Sequence, residues 1–268
     1  MAWSTSVLLL QLLPVAILAG LLSGLLGIGG GLIFSPVLLA VGLPAHQALA
    51  TSTLAIVPTT LAGGWCHLRS GRLPGPAITA IVSGAVGGGL LFSQSGDHLP
   101  AWLLLALQAG LYSVLVLLVA PRQGELPENP GAVAGADHAP LAGVAPGKLV
   151  PVGLVAGAAS GLLGVGGGLV MVPLMVRGLR LPVHLAIRLS TLAVCASAIS
   201  ASVVLVQDGR TRILPALVLG GGAAIAARWS AARLQKVPEA WLLTLLQLLC
   251  GLLALDSGRR ALALVLQG

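Results

Sequence analysis

The chain has 268 residues, 57% of them hydrophobic and 8% charged, and carries a formal net charge of +7. Soluble domains are roughly a quarter charged, so this composition excludes a water-facing globule and leaves a membrane protein with room for several spans of about 20 apolar residues each. The basic residues are spread through the stretches between apolar runs, which fits orientation by the positive-inside rule and excludes the basic stripe of a nucleic-acid binder.

No charged residue precedes Arg69. Residues 6–22 lack the basic flank of a secretory signal and are expected to remain as membrane structure. Residues 20–36, GLLSGLLGIGGGLIFSP, then break an apolar run with a glycine cluster, and a short apolar run, 32–41, follows. Residues 42–54, GLPAHQALATSTL, open a second segment that runs to about Cys66; Pro44 suits a helix start, where its missing N–H is no loss. A polar loop at 67–72, HLRSGR, leads to a third segment over about 77–93, and the turn SGDHLP to a fourth over 101–119. Residues 121–147 differ abruptly, with five prolines and three of the seven acidic residues and no apolar periodicity. They are predicted to form a flexible linker between two membrane halves, 1–120 and 148–268.

The second half replays the first. Residues 157–173, GAASGLLGVGGGLVMVP, match residues 20–36 at an offset of 137, and LPVHLAIRLST (181–191) matches LPAHQALATST (43–53) at 138. Further on, Gly71-Arg72 matches Gly209-Arg210, Gly84 matches Gly222 and Pro100 matches Pro238. Two tandem membrane repeats with breaks at corresponding positions point to a carrier whose site lies at the repeat interface. The second broken segment is bounded by Lys148 and Arg177, so its limbs come to about 15 residues, or roughly 22 Å as helix, short of a hydrocarbon core of about 30 Å. Such limbs suit a re-entrant hairpin, leaving about three full spans per repeat; an odd number makes the repeats inverted. On that arrangement nine basic residues, from Arg69 to Lys236, share one face and Arg210, Arg212, Arg259 and Arg260 lie on the other. Charge bias then puts the linker in the cytoplasm and both termini in the periplasm.

The expected substrate-binding groups are Gly27, Gly29, Gly30 and Gly31 of the first break and Gly164, Gly166, Gly167 and Gly168 of the second. Consecutive glycines each weaken a helix by nearly 1 kcal/mol relative to alanine, and unwound backbone at membrane depth is tolerated only inside protein or along a cavity. The limb after each break begins with unbonded N–H groups and a positive dipole end, which favours an anion. By contrast Gly20, Gly24, Gly84 and Gly88, spaced as G-x3-G, read as helix-packing residues. Ser52, Thr53, Ser190 and Thr191 lie one to two turns inside matching segments and are candidates to line the site; intramembrane hydroxyls also bond to their own helix. His46 and His184 stand at the starts of those segments, as interfacial tips or as gating groups. Arg188 occupies the place of Ala50 in the first copy; it either snorkels or offers a forked charge to an anion in the cavity.

Asp97, Asp208, Glu239 and Asp256 fall at span edges and the other acidic residues in the linker, so no mid-span carboxylate is placed to hold a cation. Cys66, Cys195 and Cys250 are far apart in apolar runs and read as buried filler. No nucleophile–base or metal-ligand spacing is present, so neither an enzyme nor a bound metal or cofactor is expected.

The paired GLLGIGGG and GLLGVGGG breaks, the P-x-H-x-A-x3-ST elements and the Gly-Arg loops resemble the TauE/SafE sulfite-exporter family of integral membrane permeases, over the whole chain. The resemblance implies an exporter, or less often an importer, of small sulfur-containing anions such as sulfite or sulfonated carboxylates. Arg188 departs from the symmetry of the two copies. The expectation is therefore an all-α polytopic protein of the inner membrane whose partners are a small anionic substrate and the lipid bilayer, with a homo-oligomer left open. Two other readings stay open: a permease for amino acids or other metabolites, and a non-transporting membrane assembly subunit.

Overall fold

The computed structural model describes residues 5–69, 73–95, 99–119 and 146–267. Most of the expected linker, the Gly71-Arg72 pair, Asp97 and Arg122 lie outside the described residues. Among the described residues all regular structure is helical: α1 (Thr5–Leu26), α2 (Gly31–Ala40), α3 (Ala45–Arg69), α4 (Gly75–Ser93) and α5 (Ala101–Val119) in the first half. The second half has α6 (Leu149–Leu163), α7 (Gly168–Pro173, continued by one π-turn over Leu174–Gly178), α8 (Val183–Gln207), α9 (Ile213–Ala231) and α10 (Glu239–Gln267). Five of these stretches are long and apolar enough to cross a membrane: Gly75–Ser93, Pro146–Leu163, Val183–Gln207, Ile213–Ala231 and Ala240–Ala263.

The burial pattern is that of a chain solvated by lipid. Leu117, Ile225, Leu252 and Leu266 are exposed on the outside, while Thr51, Ser52, Thr53, Thr59, Thr60, Ser190, Thr191 and Ser197 are buried. These hydroxyls belong to α3 and α8, which pack on each other. An apolar surround leaves a hydroxyl no water, so several turn back on their own helices: Thr59 Oγ1 donates to the Ala55 carbonyl at 3.0 Å and Thr60 Oγ1 to Ile56 at 2.8 Å. Trp65 and Trp229, both exposed, lie near helix ends under Arg69 and Arg233, whose guanidinium carbons are 4.7 and 3.7 Å from the ring centres. Stacked pairs of this kind suit the membrane–water boundary.

The helices interleave between the two halves. α1 lies on α9, and α6 on α4. Glycine makes both contacts possible. A Cβ on Gly20 would stand 2.2 Å from the Ala223 carbonyl oxygen, and one on Gly157 2.2 Å from that of Ala85. Gly84 and Gly88 meet the carbonyls of Val150 and Leu154 at the same 2.2 Å, so the G-x3-G positions are close backbone crossings as expected.

Two boundaries differ from the sequence reading. α1 has 22 residues, about 33 Å of helix, and runs four residues past the expected 6–22, because Ser23 and Gly24 continue the helix against α9. α2, Gly31–Ala40, is the short run expected over 32–41. Finally, α3 runs to Arg69, so His67, expected in a polar loop, is a buried residue of its last turn.

Candidate substrate site at the paired glycine breaks

Both breaks are built by backbone that only glycine accepts readily. α6 ends at Gly164, whose φ is 63°, with its N–H returning to the Ser160 carbonyl at 3.1 Å. The first break uses the same device: the Gly27 N–H returns to Ser23 at 2.8 Å, and Gly30, at φ 81°, caps α2. With a left-handed residue the chain leaves one helix and starts the next within a few residues. Pro36 and Pro173 lie inside the limbs that follow.

The two breaks are in contact, and the contacts are reciprocal. Ser52 Oγ, on α3, donates to the Gly164 carbonyl at 2.8 Å and reaches the Gly31 carbonyl at 3.3 Å. Ser190 Oγ, on α8, donates to the Ile187 carbonyl of its own helix at 2.9 Å and reaches the Gly27 carbonyl at 3.2 Å. Each serine thus holds the carbonyl of the break that lies in the other half of the sequence. Glycine is required at the meeting itself, since a Cβ on Gly168 would stand 2.2 Å from the Gly27 oxygen and one on Gly31 2.7 Å from the Val165 oxygen. Gly29 and Gly166 both face Ile56 and Val194, from α3 and α8. In this state polypeptide fills the space between the breaks.

The other sequence-derived candidates fall around this centre. Thr53 Oγ1 and Thr191 Oγ1 bond back to Leu49 and Ile187, at 3.0 and 2.8 Å, and Thr53 also reaches the Ser160 carbonyl at 3.5 Å. Arg188 is 5% exposed, and its Nη2 donates to the His67 carbonyl at 3.2 Å, which places the guanidinium at the C-terminal end of α3. His184 Nε2 is 3.2 Å from the Val237 carbonyl. His46 borders a cavity of about 10 Å³ together with Gly161, Leu49 and Arg210. Among the described residues no three His, Cys, Asp or Glu side chains are grouped to hold a metal ion.

Two features escaped the sequence reading. By polarity His67 reads as a loop residue, and Arg210 reads as a repeat match and a surface charge with no partner assigned. Arg210 in fact bonds the Ser93 carbonyl at 3.1 Å and Asp208 at 2.8 Å. Its alignment with Arg72 was the available signal.

Membrane-length apolar helices around two interlocked broken segments define a multi-pass membrane transporter, not an enzyme. The chain belongs to the sulfite exporter TauE/SafE family, whose model matches residues 12–256. It is 31% identical over 176 residues to the probable membrane transporter protein YdhB of Bacillus subtilis, covering 65% of this chain and 67% of that protein. It is also 32% identical over 181 residues to a probable membrane transporter protein of Xylella fastidiosa, covering 66% of each. The matched stretch therefore spans about two thirds of these relatives. No solved structure matches the chain.

Proposed function

We propose that the protein is an inner-membrane carrier that exports a small sulfur-containing anion, such as sulfite or a sulfonate, by alternating access around a midplane site where the glycine breaks meet. The site comprises the backbone of 27–31 and 164–168, the hydroxyls of Ser52, Thr53, Ser190 and Thr191, and Arg188 as the source of positive charge. His46 and His184 act at its two gates. The two halves are inverted repeats, joined by a cytoplasmic linker.

The observation that supports this reading is the reciprocal bonding of Ser52 to Gly164 and Ser190 to Gly27. Unwinding backbone in lipid costs several kcal/mol per unsatisfied group, so a doubled, mutually satisfied break is hard to explain as packing alone. When the breaks part, the same hydroxyls and the N-terminal N–H groups of α2 are presented to a ligand. Anion chemistry fits because Arg188 is buried, whereas Asp208 and Asp256 are partly exposed and paired with arginines.

The test is flux of labelled sulfite, a sulfonate and an amino acid through the purified protein in proteoliposomes. Sulfite or sulfonate flux supports the proposal, and amino-acid flux alone replaces it with a metabolite permease. No flux of any of the three favours an assembly subunit.

A further inference from the structure

One end of the α3–α8 pair has a cavity where the matching end has an arginine. The cavity, about 10 Å³, is lined in part by Leu49, Ala50, Leu205 and Arg210. The 138-residue offset carries Ala50 to Arg188, and carries Leu205 back to His67. Those two counterparts touch: Arg188 Nη2 donates to the His67 carbonyl at 3.2 Å, and both residues are buried. The volume that a guanidinium fills at one end is thus left open by a methyl group at the other.

We propose that the cavity beside Ala50 is the vestibule through which a small oxyanion reaches the second break, with Arg210 and His46 as its first binding groups. This rests on the anion-carrier reading above. The cavity borders the break directly, since a Cβ on Gly164 would stand 2.4 Å from the carbonyl oxygen of Leu49, a lining residue. Its next neighbour in the chain but two is Ser52, which bonds Gly164. The segment that carries Arg210 is tethered to α3: the Arg212 N–H bonds Thr51 Oγ1 at 3.0 Å and Arg212 Nε bonds Gln47 Oε1 at 3.2 Å. Arg210 is the guanidinium that lines this mouth.

As it stands the cavity holds about one water, too little for an anion with three oxygens. Arg210 has to leave the Ser93 carbonyl to admit one. That exchange is favourable in direction, because a guanidinium bonds an anion more strongly than a neutral carbonyl. Asp208, 39% exposed, competes with the incoming anion for the same nitrogen. The mouth is thus a charged gate whose closed form is the Arg210 contact with Ser93. At the matching end, Arg188 already occupies the space.

The experiment uses full-length protein in proteoliposomes, in a background without Cys66, Cys195 and Cys250. Ala50→Cys should react with a membrane-impermeant maleimide from one side of the vesicle, and the adduct should stop sulfite flux once excess reagent is washed away. Ile187→Cys, which matches Leu49 at the filled end, should not react. Arg210→Gln should raise the KM for sulfite about tenfold, as expected for one charge-assisted hydrogen bond, with partial recovery in Arg210→Lys. Asp208→Asn should lower the KM, a change that misfolding does not mimic. If Ala50→Cys is inert, or its adduct leaves flux unchanged, while the parent protein still carries sulfite, the vestibule is refuted and the carrier reading stands. An unchanged KM in both Arg210→Gln and Asp208→Asn has the same meaning. Absence of sulfite and sulfonate flux in the parent protein refutes the carrier reading, and the vestibule with it.

Discussion

Gly168→Ala tests the meeting of the breaks with a single methyl group. Gly168 opens α7 and has no left-handed φ, so alanine there is not strained by its backbone angles. Its Cβ would stand 2.2 Å from the Gly27 oxygen and 3.0 Å from Ile28 Cα, both rigid backbone of the opposite break. A carbon normally keeps about 3.3 Å from a carbonyl oxygen, so the breaks have to separate by about 1 Å. Overpacking of this kind costs about 1–3 kcal/mol, which lowers the melting temperature by several degrees in a chain of this size. The same separation stretches the Ser52 and Ser190 bonds, so sulfite flux should fall with the melting temperature. Gly221→Ala is the control, because nothing lies within 4 Å of its Cβ; alanine is favoured in a helix interior by about 1 kcal/mol. Melting in detergent and flux in liposomes are measured on the same preparations. If Gly168→Ala melts and transports like the parent, the two breaks do not pack as described. Gly167→Leu is less informative: its Cβ would meet the Ala156 oxygen of its own half at 2.1 Å, so loss of flux could not be separated from misfolding.

Ser52→Ala and Ser190→Ala each remove one hydroxyl contact from α3 or α8 to the break of the other half and should each lower stability by about 1 kcal/mol; the double variant should differ from the sum, because neighbouring sites couple. Additive behaviour in both melting and flux would mean the serines act separately. Arg188→Gln retains a donor for the His67 carbonyl but removes the charge, so affinity should fall most for doubly charged anions; unchanged affinity in a flux competition assay removes Arg188 from the site. For topology, a cysteine at Ala134 and one at the C-terminus should react with impermeant reagent from opposite sides of the membrane, and reaction from the same side rules out inverted repeats.

The glycine breaks were legible in the sequence because three consecutive glycines in an apolar run have few other uses, and because the chain carries them twice. The packing glycines were legible from their spacing, since residues four apart share a helix face. Helix ends were harder. Ser23 and Gly24 resemble a helix stop locally, yet α1 runs on to Leu26 because Gly24 lets the α9 backbone approach, a tertiary fact. His67 and Arg69 resemble a loop by polarity, yet His67 lies inside α3 with its carbonyl receiving Arg188 from 121 residues away. The partner of each serine hydroxyl was equally hidden. Ser52 and Gly164 are 112 residues apart, and only the fold decides that each serine takes the carbonyl of the other half.

That exchange bears on how access could alternate. A rocking motion of residues 1–120 against residues 148–268 would have to pull α1 from α9 and α6 from α4. These are among the closest backbone contacts in the protein, with no room for a single Cβ at Gly20 or Gly157. A motion that keeps those two pairs intact, and shifts each against α3 and α8, spares these contacts and disturbs instead the looser ones of Gly220 with the Ala55 oxygen and Gly89 with the Ser197 oxygen, at 2.6 and 2.9 Å from an added Cβ. The two motions are separable with a disulfide between Ala16→Cys and Gly222→Cys, since a Cβ on Gly222 would stand 3.0 Å from that of Ala16 and a disulfide needs about 3.8 Å. Oxidation in a background without the native cysteines would lock α1 to α9. Sulfite flux should survive, because the pair moves as one body. Flux lost on oxidation and regained on reduction would show that the sequence halves themselves are the moving parts.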